Sequence, residues 1–523
     1  MGKFQVHLTN PSDAAFGTAV ITPRWLYVLA AATPAEYGDP RIWDETLDPM
    51  NLSEVMPGAV VGLGIHTGNA LRGYRLGRDI RARGGIVIYG GIHPTLYPEE
   101  CFEYGAAHAV VKGDGDLAWG QALRDYAAGS LQRVYEGGRV SADEFKPARW
   151  DLLPPDRYMW ASVQTVRGCP KHCSFCSVWR TDGQKPRQRD TDPVIEEIAE
   201  LRRRGFRFIA LADDNFYPVS LTDIRLAERQ GNHERAGQLK AMRAARFEFM
   251  ERLKELPRDM TFFTQITMEA AEDPDFLDAM REAHIRGALV GVEAVTAEGL
   301  KEVFKDFNLS GDSLIRQLRR FQEHGVHVLG SFIFGLPSDR PSTFDATQEL
   351  AQKAGLTFAQ FVMLTPFPGT IDFDRWEKSD PRAKETVGGI PLSRYWLIPH
   401  DQRPKMFMPH PVMESAEMRA RTQKVWDDFY SLKAVWKRSR CTPHWRARLA
   451  FVFISKLYRQ MYASTGISTD SARRERATKW ARILAKPCRK LFAGKPMPEL
   501  RLTPRPQAQG LLQIAPQTPG GPA

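Results

Sequence analysis

The chain has 523 residues, 43% hydrophobic and 26% charged, which is long enough for two or three domains with sizeable cores and too ordinary for a disordered or fibrous protein. Six cysteines, three of them within eight residues, exclude a disulfide-stapled scaffold and fit a reducing compartment, so a cytoplasmic location is expected. The start Met1-Gly2-Lys3-Phe4-Gln5-Val6 has no apolar core for a signal peptide, and no run of about 18 apolar residues is present to cross a bilayer.

Residues 1 to about 145 alternate short apolar runs with helical patterns. Residues 19–22, 59–65, 86–89 and 109–111 read as buried strands. Residues 69–83 and 117–128 read as helices, the first carrying Leu71, Tyr74, Leu76 and Ile80 on one side. This predicts an α/β, Rossmann-like parallel sheet with helices on both faces and ligands beyond the carboxyl ends of its strands. Two loops there are rich in glycine, Tyr89-Gly90-Gly91-Ile92-His93-Pro94-Thr95 and Val110-Val111-Lys112-Gly113-Asp114-Gly115-Asp116. Such glycines either admit a bulky ligand against the backbone or simply make tight turns. No G-x-G-x-x-G follows a strand, so a dinucleotide is not supported. Residues 146–160, with Pro147, Pro154, Pro155, Trp150 and Trp160, read as a linker that packs against its surroundings.

Next comes Arg167-Gly168-Cys169-Pro170-Lys171-His172-Cys173-Ser174-Phe175-Cys176, a C-x3-C-x2-C loop. Three thiolates spaced in this way hold three corners of a cubane iron–sulfur cluster. The other cysteines, Cys101, Cys441 and Cys488, are remote in sequence, which leaves one iron open as a catalytic metal requires. The competing reading is a zinc knuckle. However, no second CxxC or HxxxH follows, and His172, inside the loop, would strain it as a fourth ligand.

A second strand–helix series runs from residue 161 to about 380. Its strands are read at 163–166, 206–211, 261–266, 288–292, 326–334 and 358–364. Six units fall short of a closed eightfold barrel, so a partial TIM-like barrel is expected, with chemistry at the strand ends. Those ends carry Asp213-Asp214-Asn215, Glu293 and Gly335. Each carboxylate, taken alone, reads equally well as a helix cap. Arg187 and Arg189 either meet a carboxylate or face solvent, and residues 221–250 read as a solvated helical pair.

The cysteine loop closely resembles the signature of the radical S-adenosylmethionine (SAM) superfamily. The resemblance extends over residues 161 to about 376. It implies a 4Fe-4S cluster on Cys169, Cys173 and Cys176, with S-adenosyl-L-methionine chelating the open iron and an electron cleaving it to a 5′-deoxyadenosyl radical. Phe175 matches the family's aromatic residue before the last cysteine. By the same resemblance Asp213, Asp214, Asn215, Glu293, Gly330 and Gly335 fall where the family binds SAM. Residues 1–145 resemble the cobalamin-binding domain that precedes one large radical SAM class. That resemblance implies cobalamin against Gly90 and Gly91, with His66, Thr67 and His93 in the same loops. Members that supply a histidine to cobalt carry D-x-H-x-x-G after the first strand, where this chain reads Thr22-Pro23-Arg24-Trp25. Cobalt without a protein histidine, or a relic domain, therefore both remain open.

Residues 381–502 form a basic helical region, with helices read at 413–436 and 445–462. Net charge is +10 overall. Between residues 431 and 505 there are 19 Lys and Arg against three acids, a surplus of 16, so the remainder carries −6. Helix 445–462 has two neighbouring apolar rows, one of Leu449, Phe453, Leu457 and Met461, the other of Ala450, Ile454, Tyr458 and Tyr462. It reads as a helix docked on the barrel or as one lying on an anionic membrane. A further basic stretch at 473–495 has no aromatic platform for nucleic acid. Residues 503–523 read as a disordered tail.

The resemblance implies a cobalamin-dependent C-methyltransferase acting on a small-molecule or lipid-like substrate, with a flavodoxin- or ferredoxin-type electron donor. Three alternatives stand beside it: cyclisation or oxidation with a relic domain, RNA modification, and a basic binding protein with a structural cluster. A methylthiotransferase would need three cysteines in the N-terminal domain, where only Cys101 occurs.

Overall fold

The computed structural model describes residues 4–13, 15, 19–405, 408–442, 444–463, 489–490 and 493–502, with backbone alone at 461–463. Most of the basic stretch 473–495 and the tail 503–523 lie outside these residues. So do the side chains of Met461 and Tyr462.

Two parallel sheets carry the fold. Their strands, in chain order, are β1 (Val6–Asn10), β2 (Ala19–Ile21), β3 (Arg41–Asp44), β4 (Val60–Gly64), β5 (Ile86–Gly90), β6 (Ala109–Gly113), β7 (Val134–Gly138) and β8 (Tyr158–Val163). After a two-residue antiparallel pair, β9 (Val166–Arg167) with β10 (Arg187–Gln188), follow β11 (Phe208–Leu211), β12 (Thr261–Ile266), β13 (Ile285–Glu293), β14 (His327–Phe334) and β15 (Phe358–Met363). The first sheet has the order β3-β1-β4-β5-β6-β7, all parallel. It is doubly wound, and its order reverses between β1 and β4, where such sheets bind ligands. The second is a curled half-barrel of order β15-β14-β13-β12-β11-β8-β2, also parallel.

The six barrel strands expected from the sequence are present. The observed first strand, Tyr158–Val163, starts earlier than the expected 163–166. Strand β2, read as part of the N-terminal series, instead joins the barrel edge, pairing Ala19 with Tyr158 and Ile21 with Trp160. This corrects the reading of the cobalt-facing loop. Thr22-Pro23-Arg24-Trp25 follows β2, whereas the first strand of the doubly wound sheet is Val6–Asn10. The stretch after that strand, residues 11–18, contains no histidine either.

Residues 221–250 do form two helices, Leu221–Arg229 and His233–Leu253, capped by the Ser220 and Asn232 side chains. The second is not solvated all round. Phe249, Met250 and Leu253 enter the barrel core, and Arg246 is buried against Thr165. The helix expected at 413–436 is two, Ser415–Phe429 and Leu432–Arg438, because the Ser431 hydroxyl caps a new start at Ala434 N. The stretch at 380–404, read as loop, makes helical turns that bury Trp396 in the N-terminal domain, with its indole N–H donating to Glu100 at 2.9 Å. The linker packs as expected, Trp150 lying against Tyr27. Among the described residues no helix is long and apolar enough to cross a membrane.

Arg24, after β2, and Arg189 both reach Glu197 on helix Thr191–Arg203, at 3.1 and 2.6 Å, and all three are buried. One carboxylate thus serves two buried guanidiniums. Removing it leaves both without a counter-charge, at a cost of about 3–5 kcal/mol. Glu197→Ala is expected to lower the urea unfolding midpoint markedly, whereas exposed Glu196→Ala leaves it nearly unchanged.

Candidate active site

The cysteine loop leaves β9 at the carboxyl edge of the half-barrel. Gly168, at φ +92°, turns the chain so closely that a Cβ would lie 2.9 Å from Gly183 O. Cys169 N donates to Gly183 O at 3.0 Å, and Ser174 is tied to Asp372 through its hydroxyl at 3.0 Å. The flanks are also anchored, Lys171 to Glu269 at 2.8 Å and the His172 ring against Phe304. His172 faces solvent, away from any ligand role. Burial pushes the Cys169 thiol up to about 11 and the Cys176 thiol up to about 12, the neighbouring cysteines adding to both. Thiols so buried need a nearby cation to ionise. Among the described residues no three His, Cys, Asp or Glu side chains converge on a single ion. A cubane makes no such demand, since it takes its thiolates at separate corners. Three cysteines on one loop thus fit a 4Fe-4S cluster.

The neighbouring strand ends separate the remaining candidates. Asp213 is fully buried and spent on the scaffold, accepting from Thr165 N and Oγ1 and from Val166 N at 2.5–2.9 Å. Asn215 is likewise spent on Tyr217 and Thr267. Only Asp214 turns to the loop, accepting from Gly168 N at 2.6 Å. Burial, with Asp182 nearby, lifts its carboxyl to about 7. Gly330 lies within β14, where a Cβ would meet Leu356 at 2.7 Å. It is a packing glycine, away from the strand end. Gly335, at φ +96°, lines a cavity of about 530 Å³ together with Ser174, Phe304, Leu336, Leu364 and Met408. Phe175 packs on the apolar cluster around Ala294, Val303 and Leu336. Glu293 ends β13 with φ +67° and bonds Lys305 at 2.8 Å. Sequence reasoning missed Lys305, which nothing in the stretch Lys301-Glu302-Val303-Phe304-Lys305 sets apart from its neighbour Lys301.

In the doubly wound sheet the carboxyl-end loops of β4, β5 and β6 lie side by side. His66 is exposed at the tip of the first, its Nδ1 accepting from Gly68 N at 3.0 Å. His93 is not at the lip. It is wholly buried, its Nε2 within 3.0 Å of Tyr74 Oη and 3.3 Å of Glu100, its Nδ1 3.3 Å from Thr67 Oγ1. It therefore positions Thr67 from behind. Gly91 is required by a close turn, since at φ +100° a Cβ would lie 2.7 Å from Ile65 O. Gly90 differs. No atom comes nearer than 3.8 Å to a Cβ there, so protein packing does not explain its missing side chain. That open cradle is what a large ring ligand against this edge requires, so the residues present fit cobalamin.

The two edges meet. Arg167, two residues before Cys169, reaches Asp114 at 2.6 Å and Asp116 at 3.0 Å in the loop after β6. Arg187 reaches Asp114 at 2.5 Å. The acids of that loop thus bind the barrel's arginines.

Residues 163–351 match the model of the radical SAM superfamily. This stretch, the half-barrel with its cysteine loop, is thus a radical SAM domain, which makes the chain an enzyme that uses a 4Fe-4S cluster with S-adenosylmethionine. It is 25% identical over 383 residues to bacteriochlorophyllide d C-12(1)-methyltransferase of Chlorobaculum tepidum, covering 68% of this chain and 75% of that one. It is 24% identical over 417 residues to hopanoid C-2 methylase of Rhodopseudomonas palustris, covering 77% and 72%. The fold is similar to the radical S-adenosylmethionine methyltransferase TsrM of Kitasatospora setae, solved with cobalamin and a 4Fe-4S cluster bound. The TM-score is 0.63 at 17% identity, over 87% of this chain and 99% of that one.

Replacing Cys169, Cys173 and Cys176 together with Ala is expected to abolish the brown chromophore and about four irons per chain. Cys101→Ala should keep both, and the reverse pattern would overturn the ligand set.

Proposed function

We propose that the chain is a cobalamin-dependent radical SAM C-methyltransferase acting on an unactivated carbon of a small-molecule or lipid-like substrate. The observation that carries this reading is the direct contact of Arg167, beside the cysteine loop, with Asp114 and Asp116, beside the Gly90 cradle. A methyl carrier and a radical source must face one substrate, and this contact sets their loops together. When bound, the cluster and SAM supply the carbon radical and cobalamin the methyl group. The protein's part is placement. Cys169, Cys173 and Cys176 hold the cluster. Asp214, Glu293 and the Gly335 turn receive SAM, a carboxylate suiting its ammonium. His66, Thr67, Gly90 and Gly91 receive cobalamin. The electron comes from a flavodoxin or ferredoxin in the cytoplasm.

The test is anaerobic reconstitution with iron, sulfide and cobalamin, followed by incubation with deuteromethyl-SAM and extract of cells lacking the protein. Formation of 5′-deoxyadenosine together with a deuteromethylated product is expected. Deoxyadenosine without methyl transfer would favour cyclisation or oxidation. With no histidine in residues 11–18, labelling the protein's histidines with 15N should leave the electron paramagnetic resonance (EPR) spectrum of the cob(II)alamin form unchanged. An altered superhyperfine pattern on labelling would refute this ligation.

A specific observation favours contact with a membrane surface. On helix Trp445–Ala463 one face, Phe451, Ser455 and Tyr458, packs on the barrel near Phe358 and Tyr430. On the other, Trp445, Leu449 and Phe453 are exposed by 67%, 50% and 45%, beside Leu432 and Trp436 of the preceding helix. Residues 431–463 include eight Lys and Arg and no acid. An apolar row inside an all-basic segment suits an anionic bilayer, at about 1 kcal/mol per basic residue near the surface. The intact chain is expected to float with anionic vesicles at low salt and to detach as salt rises. The triple variant W445E/L449E/F453E should remain at the bottom of the gradient while still cleaving SAM. Equal flotation of both, or of neither, removes this reading.

A further inference from the structure

Lys305 is the one lysine buried among the described residues. It follows helix Ala297–Glu302, at the carboxyl end of β13. Its Nζ donates to Glu293 Oε1 at 2.8 Å and to Gly291 O at 3.1 Å, and lies 6.0 Å from the centre of the Phe175 ring, between Cys173 and Cys176 in the loop. Both charged side chains are only 7% exposed.

Three features of the local chain exist to admit this pair. Glu293 adopts the left-handed conformation, at φ +67°, that non-glycine residues avoid. The β13–β14 register shifts between Gly291 and Glu293, a bulge of the kind that re-aims a side chain. At Gly291 a Cβ would lie 2.5 Å from Glu293 Oε1 and 2.6 Å from Lys305 Nζ, so a side chain there would displace the pair. Asn308 braces the same carbonyl, Gly291 O, at 3.3 Å. Strain of this kind persists only where the surroundings over-determine it.

A buried ion pair gives little net stability, so its placement against the cysteine loop calls for another account. Glu293, paired at 2.8 Å and equally buried, favours the charged form of the Lys305 ammonium.

We propose that Lys305 is a positioning residue whose buried ammonium serves as counter-cation to the cluster site, raising the cluster's reduction potential, with Glu293 tempering that effect. The inference rests on the cluster assignment above. The step concerned is a one-electron reduction by an external donor of the flavodoxin or ferredoxin class. One electron enters the site, no bond forms or breaks, and the added negative charge is stabilised by a fixed cation in a poorly solvated place.

The test uses the full chain, reconstituted anaerobically, without SAM, in an EPR-monitored redox titration. In Lys305→Met the ratio of reduced to oxidised cluster at a given solution potential should fall at least tenfold, a midpoint about 59 mV more negative for one electron. Lys305→Arg should restore most of it, and Glu293→Gln, which leaves the ammonium uncompensated, should move the midpoint upward. A brace of the β13 bulge would lower thermal stability without moving the midpoint. An iron-loaded Lys305→Met with an unmoved midpoint overturns the proposal. Should Lys305→Met fail to fold or load iron, Glu293→Gln decides, and a midpoint that stays or falls overturns it. An unaltered chain that binds no cluster overturns the proposed function as well, so the two failures are distinguishable.

Discussion

The arrangement of this molecule depends on one buried set of charges, Asp114 and Asp116 on the doubly wound sheet against Arg167 and Arg187 on the half-barrel. Two acids meet two arginines, so the cluster is neutral as a whole, and each side chain is at least 88% hidden from solvent. The Phe145 ring lies against both guanidiniums, 4.2 Å from that of Arg167. Taking four charges out of water costs nearly what their attraction returns, so such a set contributes little to stability. What it supplies is discrimination. Any sliding of one sheet past the other strands an unpaired charge in a dry place, and the penalty grows steeply with displacement. Asp114 also accepts from Val140 N at 2.9 Å and Asp116 from Lys146 N, so the loop after β6 is held at both ends.

The same logic explains why so few of the polar residues at the strand ends are left for ligands. A parallel sheet points all its carboxyl ends one way, and those loops must satisfy their own backbone before they serve anything else. Asp213 holds the end of β8, Asn215 closes its own turn, and His93 is locked between Thr67, Tyr74 and Glu100. The groups that remain directed at the cysteine loop are Asp214 and the Glu293–Lys305 pair. The working site is therefore smaller and drier than a count of polar residues suggests, and each charge in it acts through a lower dielectric.

The C-terminal helices extend this economy to the surface. Tyr430 exchanges hydrogen bonds with Ala359 N and O at 3.1 and 2.8 Å, and Trp426 donates to Phe361 O at 2.7 Å. These bonds satisfy the outer edge of β15, which would otherwise be open to a stray strand. Helix Trp445–Ala463 then packs over Phe358. Neither apolar row legible on that helix is the face the barrel buries: Leu449, Ala450 and Phe453 are exposed, while Phe451 and Ser455, which belong to neither row, are buried.

The sequence alone determined whatever is local or periodic. Cysteine spacing marked the cluster loop, alternation of short apolar runs with helical patterns marked six barrel strands, and the glycine loops marked the carboxyl edge of the first sheet. It did not show β1, Val-His-Leu-Thr-Asn, because His7 and Thr9 break the apolar pattern although both are wholly buried. Only the tertiary structure decided which sheet the three-residue β2 joins, since so short a strand carries no pattern to specify its partner. It alone chose Asp214 from the run Asp213-Asp214-Asn215, where three adjacent polar residues point three ways. It alone brought Lys305 to Glu293, twelve residues back along the chain. Pairings of that kind arise from burial and charge in three dimensions, where desolvation makes a nearby counter-charge obligatory, and no sequence period records them.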